Sequence, residues 1–453
     1  MILLWTDALI LLLLLSSIAI AFYLHDKDHI QRPLNKIARS KVGMVSLVVL
    51  LFFLAVGLLD SIHFKSKQDN GNEIISLLDQ VATPLRENTE KTYSAPFATT
   101  LYSKEMIEKD GIMQWDYPRL VHGGSHLKDP EQEKTFDIIK KAAFGFMIGL
   151  ILVCIVLSGV HFAKKDYSHA VPMLSPELKP SLNFYKPVPI TLLVLITIST
   201  TLGYLSLYYH VFGTDKVGED VFYQAIKSIR TGLVIGTLTT LIMLPLAILF
   251  GILAGFFQGW VDDVIQYIYT TLNSIPGVLL IAASVLMVQV YMANHESEFT
   301  SVIVRADMRL LFLCMILGVT SWTGLCRLLR AETLKLREME YVQAARALGV
   351  KQHAILLNHI LPNVMHIVLI SVVLDFSSLV LAEAVLSYIN IGVDPTSYSW
   401  GNMINGARLE MAREPIVWWS LTAAFVFMFA LVLAANLFAD VVQNAFDPRS
   451  QTD

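Results

Sequence analysis

The sequence predicts an all-α integral membrane protein, and two observations carry that prediction. Of its 453 residues, 55% are hydrophobic and only 16% are charged, whereas an ordinary soluble domain carries about 25% charged residues. Several stretches also have the length and apolarity of a membrane span, which needs about 20 mostly apolar residues. The predicted spans are residues 2–23, 43–60, 143–162, 188–208, 231–257, 264–291, 309–326, 361–386 and 416–438.

Composition and missing motifs exclude several classes of function. A net charge of −4 is near neutral for this length and argues against a nucleic-acid partner. The three cysteines (Cys154, Cys314 and Cys326) lie in or beside apolar runs, so no disulfide framework is implied. The sequence has no Gly-x-x-x-x-Gly-Lys-Ser/Thr loop, no His-Glu-x-x-His and no Gly-x-Ser-x-Gly. We therefore expect a non-catalytic chain without a metal or cofactor of its own.

The first apolar run sets the predicted orientation. It ends near Ala19-Ile20-Ala21, which looks like a signal-peptide cleavage site, but basic residues follow the run instead of preceding it. We therefore expect a retained anchor with an external N-terminus and a cytoplasmic segment 24–42. Alternation then predicts external segments at 61–142, 209–230, 292–308 and 387–415, and cytoplasmic segments at 163–187, 258–263, 327–360 and the C-terminus. The lysines and arginines of loops 163–187 and 327–360 agree with this count.

A polar insert, residues 61–142, separates the second apolar run from the third. It is too long for a bare loop, and it contains short amphipathic pieces such as residues 73–81. We expect a small external subdomain whose aromatic residues form a minimal core, with substrate contact as the less favoured alternative. Those aromatics are Tyr93, Phe97, Tyr102, Trp115 and Tyr117.

The most informative stretch is Glu340–Asn363, called the elbow below, a polar, helix-prone island between apolar runs. Residues 341–348 predict a helix, which Gly349 is expected to interrupt because glycine tolerates left-handed backbone angles. A second short helix is predicted from residue 351 to about 359, before Pro362 opens the next apolar run. One small, close-packing face of the first helix carries Ala344, Ala347 and Leu348.

This elbow resembles the EAA loop of bacterial ABC importer permeases, whose pattern is Glu-Ala-Ala, three residues, Gly, nine residues and Ile-x-Leu-Pro. Gln343 stands here for the Glu and His359 for the Ile, and the ending His-Ile-Leu-Pro-Asn is similar to the dipeptide/oligopeptide branch. The resemblance implies coupling to a partner ATPase through a set of elbow residues. They are Gln343, Ala344, Ala345, Arg346, Gly349, His359, Ile360, Leu361 and Pro362.

Residues 210–221 resemble His-x-x-Gly-Thr-Asp-x-x-Gly-Arg-Asp-Val of the C-type permease subunit in that branch, with Glu219 in place of the Arg. We expect turns at Gly213 and Gly218, and a helix cap from Asp215 or Asp220. The amphipathic segment 221–230 that follows is predicted to lie in the membrane interface.

Two further parts of the chain also match that family. Residues 383–388 and 399–403 resemble its external loop, and Ile275-Pro276 predicts a kink in the span at 264–291. Glu383 is a candidate for the translocation path because ionisable residues within spans are commonly functional. The full set of external-loop or pathway candidates is Gly213, Thr214, Asp215, Asp220, Glu383, Ser399, Trp400 and Gly401.

The resemblance covers about residues 205 to 450 and implies a type I ABC importer helix bundle with three extra N-terminal spans, in the bacterial inner membrane. The predicted units are two spans in 1–60, the insert 61–142, two further spans in 143–208, and a permease domain in 229–440 with its coupling loop at 327–360. The implied partners are a second homologous permease subunit, a periplasmic binding protein, and two cytoplasmic ATPases that hold ATP and Mg. The implied cargo is dipeptides or oligopeptides.

Other functions stay open at this stage. Nickel chelates, oligosaccharides or antimicrobial peptides are alternative cargoes of the same kind of transporter. An ion- or proton-coupled transporter would need paired ionisable residues near mid-membrane, and the central runs offer almost none. A membrane-anchored signalling or scaffold protein built around the insert would leave the elbow unexplained.

Overall fold

The structure is a computed structural model that describes residues 4–24, 28–65, 74–109, 112–170, 187–295 and 301–446. It is mainly α-helical, as predicted, with two small antiparallel hairpins in the insert. Most of the predicted cytoplasmic loop 163–187 lies outside the described residues. Outside the hairpins, the only β structure in the described residues is isolated β-bridges.

The N-terminal part of the chain, up to residue 206, contains the predicted extra spans and the insert. Its helices are α1 (Trp5–Leu24), α2 (Asp28–Arg39), α3 (Lys41–Asp60), α4 (Leu77–Val81), α5 (Thr83–Glu87), α6 (Pro130–Ala170) and α7 (Pro187–Ser206). Its strands are β1 (His63–Lys65), β2 (Ile74–Ser76), β3 (Glu105–Lys109) and β4 (Ile112–Asp116). Strand β1 pairs with β2, and β3 pairs with β4.

The second part contains the region with the family resemblance. Its helices are α8 (Val221–Phe257), α9 (Trp260–Ser274), α10 (Gly277–Asn294), α11 (Val302–Ser321), α12 (Thr323–Arg337), α13 (Glu340–Ala347), α14 (Gln352–Ile355), α15 (Leu361–Tyr388), α16 (Trp400–Glu410) and α17 (Trp419–Phe446). A π-helical turn, Leu356–Ile360, joins α14 to α15.

Seven helical stretches of the described chain are long and apolar enough to cross a membrane: 41–60, 132–159, 187–206, 221–257, 277–294, 352–388 and 419–446. The N-terminal stretch 5–17 is a shorter apolar helix, and helix α11 carries Arg305, Asp307 and Arg309 in its first half. The chain is therefore a multi-pass membrane protein, and the total of nine spans stays a prediction.

Helix α8 is the central element of the second part, and it packs against α11, α12 and α15. Its approach to α12 is close, since a Cβ atom added at Gly251 would lie 2.7 Å from Cβ of Leu329. The apolar residues between these helices are buried, and Leu238 and Ala247 in the middle of α8 are at most 1% exposed. The bundle thus positions α12 and the elbow against the last turns of α8.

Two predictions about local structure are wrong. The segment 221–230 is not a separate interfacial helix: it is the first part of α8, and Val221, Ala225 and Ile229 are buried in the protein core. Pro276 does not kink one span but separates α9 from α10, where Ile275 and Pro276 both leave helical geometry. Packing against distant segments decides the first outcome, whereas the break at Pro276 lies in an exposed stretch and is a local effect, because proline disfavours helical geometry in the residue before it.

The insert packs on the loop before α8. The Ser94 amide donates to Oγ1 of Thr214 at 2.7 Å, and Thr214 Oγ1 donates to the Thr92 carbonyl at 2.8 Å. Of the aromatic residues predicted to form its core, Tyr93 is buried, and Phe97 and Tyr102 are partly buried. Trp115 and Tyr117 are 65% and 45% exposed, so the core prediction is wrong for these two.

Candidate coupling elbow and external cluster

The elbow has the predicted helix–glycine–helix form. Helix α13 ends at Ala347, and Gly349 follows with φ of +76°, in the left-handed region that favours glycine. The Gly349 amide donates to the Arg346 carbonyl at 3.0 Å, and the Val350 amide donates to the Ala345 carbonyl at 3.1 Å. These two bonds satisfy carbonyls at the end of the helix. The turn at Gly349 is thus built locally.

The two faces of α13 have different surroundings. Val342 and Ala345 are buried in the core formed with α8, α9, α12 and α15. The predicted small face is exposed instead, and Leu348 is 83% exposed. Its members are Ala344, Ala347 and Leu348. The helix is therefore anchored by one face and presents small and apolar side chains on the other.

Ion pairs and an aromatic contact fix the approach to the elbow. Arg330 on α12 donates to both carboxylate oxygens of Asp262 on α9, at 2.6 and 2.7 Å. These hydrogen bonds hold the pKa of Asp262 below its usual range. Arg337 donates to the Phe256 carbonyl at 3.1 Å, and the Arg346 guanidinium lies 4.6 Å from the centre of the Phe256 ring. The end of α8 therefore contacts both the last turn of α12 and the first arm of the elbow.

A polar contact ties the two arms of the elbow together. Nδ2 of Asn363 donates to the Tyr341 hydroxyl at 3.2 Å and to the His359 carbonyl at 2.6 Å. The Tyr341 and His359 rings lie 6.1 Å apart between centroids. The His359 side chain, which departs from the family pattern, contributes only the ring contact, since the hydrogen bond uses its backbone carbonyl. Gln343 is exposed and donates to the Glu338 carbonyl at 3.2 Å.

The second arm differs from the prediction of a separate short helix that ends before Pro362. Helix α14 runs through the π-helical turn directly into α15, so residues 352–388 form one helical rod. Pro362 lies just after the π-helical turn, where the regular bonds to the fourth residue back, which a proline cannot make, are already interrupted. A π turn often marks a functional position. The elbow is therefore continuous with a membrane-spanning helix.

The external candidates form a second group, called the external cluster below: Gly213, Thr214, Asp215, Asp220, Glu383, Ser399, Trp400 and Gly401. All except the partly buried Asp215 are buried. The predicted turns at Gly213 and Gly218 are present, with φ of +70° and +83°. Asp220 caps α8 as predicted, since it accepts from the amides of Phe222 and Tyr223 at 2.8 and 3.1 Å.

The remaining members of the external cluster hold α15 and α16 together. Ser387 donates to Oε1 of Glu383 at 2.6 Å, and an added Cβ at Gly401 would lie 3.0 Å from that same oxygen. Ser399 caps α16, and Nε1 of Trp400 donates to the Ala225 carbonyl at 3.0 Å. In the described chain these side chains make internal contacts. Their role in a translocation path stays a prediction.

Sequence reasoning missed a buried histidine that links the insert to α8. Nδ1 of His210 lies 2.7 Å from Asp220, and its Nε2 lies 3.4 Å from Glu90 of the insert. Burial disfavours the charged ring, but the Asp220 and Glu90 carboxylates outweigh it and raise the pKa of His210 to about 9. Burial also opposes ionisation of Glu90, whose pKa is lowered to about 2 by His210 and by the amides of residues 121–123.

A buried network of charges that joins the N-terminal spans to α8 was also missed. Arg230 donates to Oδ1 of Asp7 on α1 at 2.6 Å. Thr6 and Asp307 complete the group, since the Thr6 hydroxyl donates to the Asp307 carboxylate. Arg230 lies 3.7 Å from Asp307. Arg230 is 223 positions from Asp7, and Thr6 is 301 positions from Asp307, so no local pattern pairs them.

Lys227, one turn before Arg230, makes similar contacts. Its Nζ lies 2.6 Å from Asp60 at the end of α3 and 2.8 Å from Asp79 of the insert. A signal was present in the sequence: two basic residues spaced three apart on an otherwise apolar helix share one face and need partners there.

Comparison with known proteins assigns the family. The family model of the inner membrane component of binding-protein-dependent transport systems matches residues 247–452. The chain is 30% identical over 244 residues to the dipeptide transport system permease protein of Lactococcus lactis, which covers 54% of this chain and 65% of that protein. It is 30% identical to the glutathione transport system permease protein of Pectobacterium atrosepticum, over 53% of this chain and 73% of that protein.

A third relative is also a permease protein of a peptide transport system. The oligopeptide transport system permease protein of Mycobacterium tuberculosis is 29% identical, over 54% of this chain and 77% of that protein. The chain therefore belongs to the family of inner membrane components of binding-protein-dependent transport systems. The predicted resemblance to ABC importer permeases is confirmed, as is the helical membrane fold.

Proposed function

We propose that this chain is the non-catalytic permease subunit of an ATP-driven importer that moves peptides across the bacterial inner membrane. Its membership of the permease family supports the transport role. The names of the relatives support the cargo, since they handle dipeptides, oligopeptides and glutathione. The observation that carries the mechanism is the exposed small face of α13 on an elbow that is otherwise anchored in the core.

The mechanism follows from the continuity of the elbow with α15. A soluble ATPase grips the exposed face around Ala344, Ala347 and Leu348, and a second ATPase grips a related permease subunit. When ATP closes the two ATPases, each elbow moves with the ATPase surface that holds it. Because residues 352–388 form one helical rod, displacement of the elbow tilts α15 and changes access to the pathway. A periplasmic binding protein delivers the peptide on the opposite side.

Purification tests this proposal directly. Extraction of the native complex in mild detergent is expected to yield the chain with a second permease subunit and two ATPases. Proteoliposomes of that complex are expected to take up peptides only with ATP and a binding protein. Recovery of the chain without any ATPase, together with uptake driven by an ion gradient, would favour a secondary transporter instead. Uptake of nickel chelates, oligosaccharides or antimicrobial peptides, but not short peptides, would overturn the peptide cargo.

Cysteine labelling tests the proposed orientation. We propose that the elbow and the C-terminus are cytoplasmic and that the insert and the N-terminus are external. In a background without the native cysteines, an impermeant reagent added to intact cells is expected to label Ser103→Cys in the insert. It is expected to leave Gln352→Cys unlabelled until the cells are opened. Both residues are exposed, so labelling of both from one side would contradict the orientation.

A further inference from the structure

An apolar cleft lies where α3 and α7 of the N-terminal spans meet α8 and α17. Helices α3 and α7 form one wall, and the start of α8 and the middle of α17 form the other. The volume of the cleft is about 1090 Å³, slightly above the usual range of ligand sites, roughly 300–1,000 Å³. Representative wall residues are Val49, Phe53, Ile198, Leu202, Ile226 and Phe427.

The chemistry of the walls restricts what can fill the cleft. The hydroxyl of Ser46 donates to the Val42 carbonyl at 2.9 Å, and that of Ser206 donates to the Gly203 carbonyl at 2.8 Å. The hydroxyl of Tyr223 donates to Asp79 at 2.7 Å. These wall hydroxyls are thus already used by the protein. Water or a polar cargo would find few partners here, whereas hydrocarbon would regain the dispersion contacts that an empty cleft forfeits.

The length of the cleft suits a lipid acyl chain, and the lysine at one end suits an anionic headgroup. Along α3 the cleft extends from Lys41 to Val56, which at 1.5 Å per residue is roughly 22 Å of a bilayer core about 30 Å thick. Helices α4 and α5 of the insert lie at the Val56 end through Leu78 and Leu85. Lys41 lies at the opposite end, is exposed, and makes no ion pair within the described residues.

We propose that this cleft is a binding site for an anionic phospholipid, with its acyl chains between α3, α7, α8 and α17 and its phosphate on Lys41. A membrane helix from a partner would also cover apolar walls, but an anionic headgroup additionally complements the charge of the exposed Lys41 ammonium at the end of the cleft. The acyl chains of an anionic lipid match the apolar walls up to the Val56 end, and its phosphate matches Lys41 at the opposite end. The lipid joins the N-terminal spans to the permease part, and its placement in the inner leaflet depends on the orientation proposed above.

A matched pair of glycine variants tests the site. An added Cβ meets nothing within 4 Å at Gly203, which lines the cleft, or at Gly159 on α6, which does not. The complex is purified in mild detergent, and phospholipid bound per chain is measured by native mass spectrometry. Gly203→Phe is expected to retain several-fold less phospholipid than the wild type, and Gly159→Phe is expected to retain the wild-type amount. Equal retention by both variants would overturn the proposal.

Two further measurements separate the lipid from other occupants and do not depend on a bulky substitution. Lys41→Gln is expected to keep bound lipid but to lose about fivefold of its preference for phosphatidylglycerol over phosphatidylethanolamine. A photo-reactive residue at Val49 in the otherwise unchanged complex is expected to cross-link phospholipid. Cross-linking to the second permease subunit instead, or an unchanged lipid preference in Lys41→Gln, would contradict the assignment.

Discussion

The elbow and the external cluster both match the permease family in sequence, yet they differ in burial. The elbow buries Val342 and Ala345 but exposes Ala344, Ala347 and Leu348, whereas the external cluster buries every member except Asp215, which is partly buried. Motifs of equal strength thus mark two different physical roles. An exposed motif presents a surface to something outside the chain, and a buried motif holds the chain's own helices in place. Each prediction below would break or sharpen that contrast.

The largest effect is expected at the turn of the elbow. Proline cannot adopt the φ of +76° observed at Gly349, because its ring holds φ near −65°. Gly349→Pro should therefore distort the elbow at a cost above about 3 kcal/mol, and ATP-dependent uptake should fall by roughly 100-fold while the protein stays in the membrane. Gly349→Asn is the control, since asparagine tolerates this region. Normal uptake by the proline variant would refute the coupling role.

A large loss of stability is expected in the external cluster. Trp400 is 1% exposed and donates to the Ala225 carbonyl, so Trp400→Ala should cost about 3–5 kcal/mol. Trp418, which is 50% exposed, is the matched control, and its replacement should cost less than about 1 kcal/mol. Thermal unfolding in detergent measures both. Similar losses in the two variants would show that the cluster is not a packing element.

A pH dependence is expected where the insert meets α8. The pKa of His210 is raised to about 9 from an unfolded value of about 6.5. The stabilisation is therefore fully present below about pH 6.5 and is lost as the pH rises through about 9. Hydrogen exchange at the amides of Val121, His122 and Gly123, which donate to Glu90, should lose protection over that window.

The matched variant for this pH experiment is His210→Gln, which removes the titrating ring. It should lower protection already at pH 7 and flatten the profile between pH 6.5 and 9. If His210→Gln loses protection with rising pH to the same relative extent as the wild type, a group other than His210 titrates.

The smallest effect is expected at Gln343, where the elbow departs from the acidic residue of the family pattern. Gln343 is exposed and donates to the Glu338 carbonyl, with the Glu338 carboxylate 3.4 Å away. Gln343→Glu would bring two carboxylates together at the surface, a repulsion of about 0.5 kcal/mol or less. Uptake should change less than about twofold. A large gain or loss would show that this side chain, and not the small face, contacts the ATPase.

Local patterns predicted several parts of the elbow and the external cluster correctly. The break at Gly349, the turns at Gly213 and Gly218, and the cap at Asp220 all depend on residues within a few positions of one another. Backbone preferences and capping bonds of this kind act over one or two turns of chain. Such features can be read from the sequence without knowledge of the packing.

Predictions that depended on neighbours distant in the chain were less successful. The segment 221–230 has an amphipathic pattern that suits a membrane interface, but the protein core covers it. Its polar side, with Lys227 and Arg230, faces Asp60, Asp79 and Asp7 instead of lipid headgroups. An amphipathic pattern shows that the two sides of a helix have different surroundings. It does not show whether each side contacts lipid, water or the rest of the protein.

The sequence by itself determined that this is a helical membrane protein with a glycine-broken elbow, because hydrophobic length and backbone preference are properties of short stretches. Only the tertiary structure decided which face of α13 is free, where His210 finds its carboxylates, and how Arg230 meets a residue 223 positions away. Burial and charge pairing depend on which helices become neighbours. That choice is a property of the packed bundle and not of any one segment.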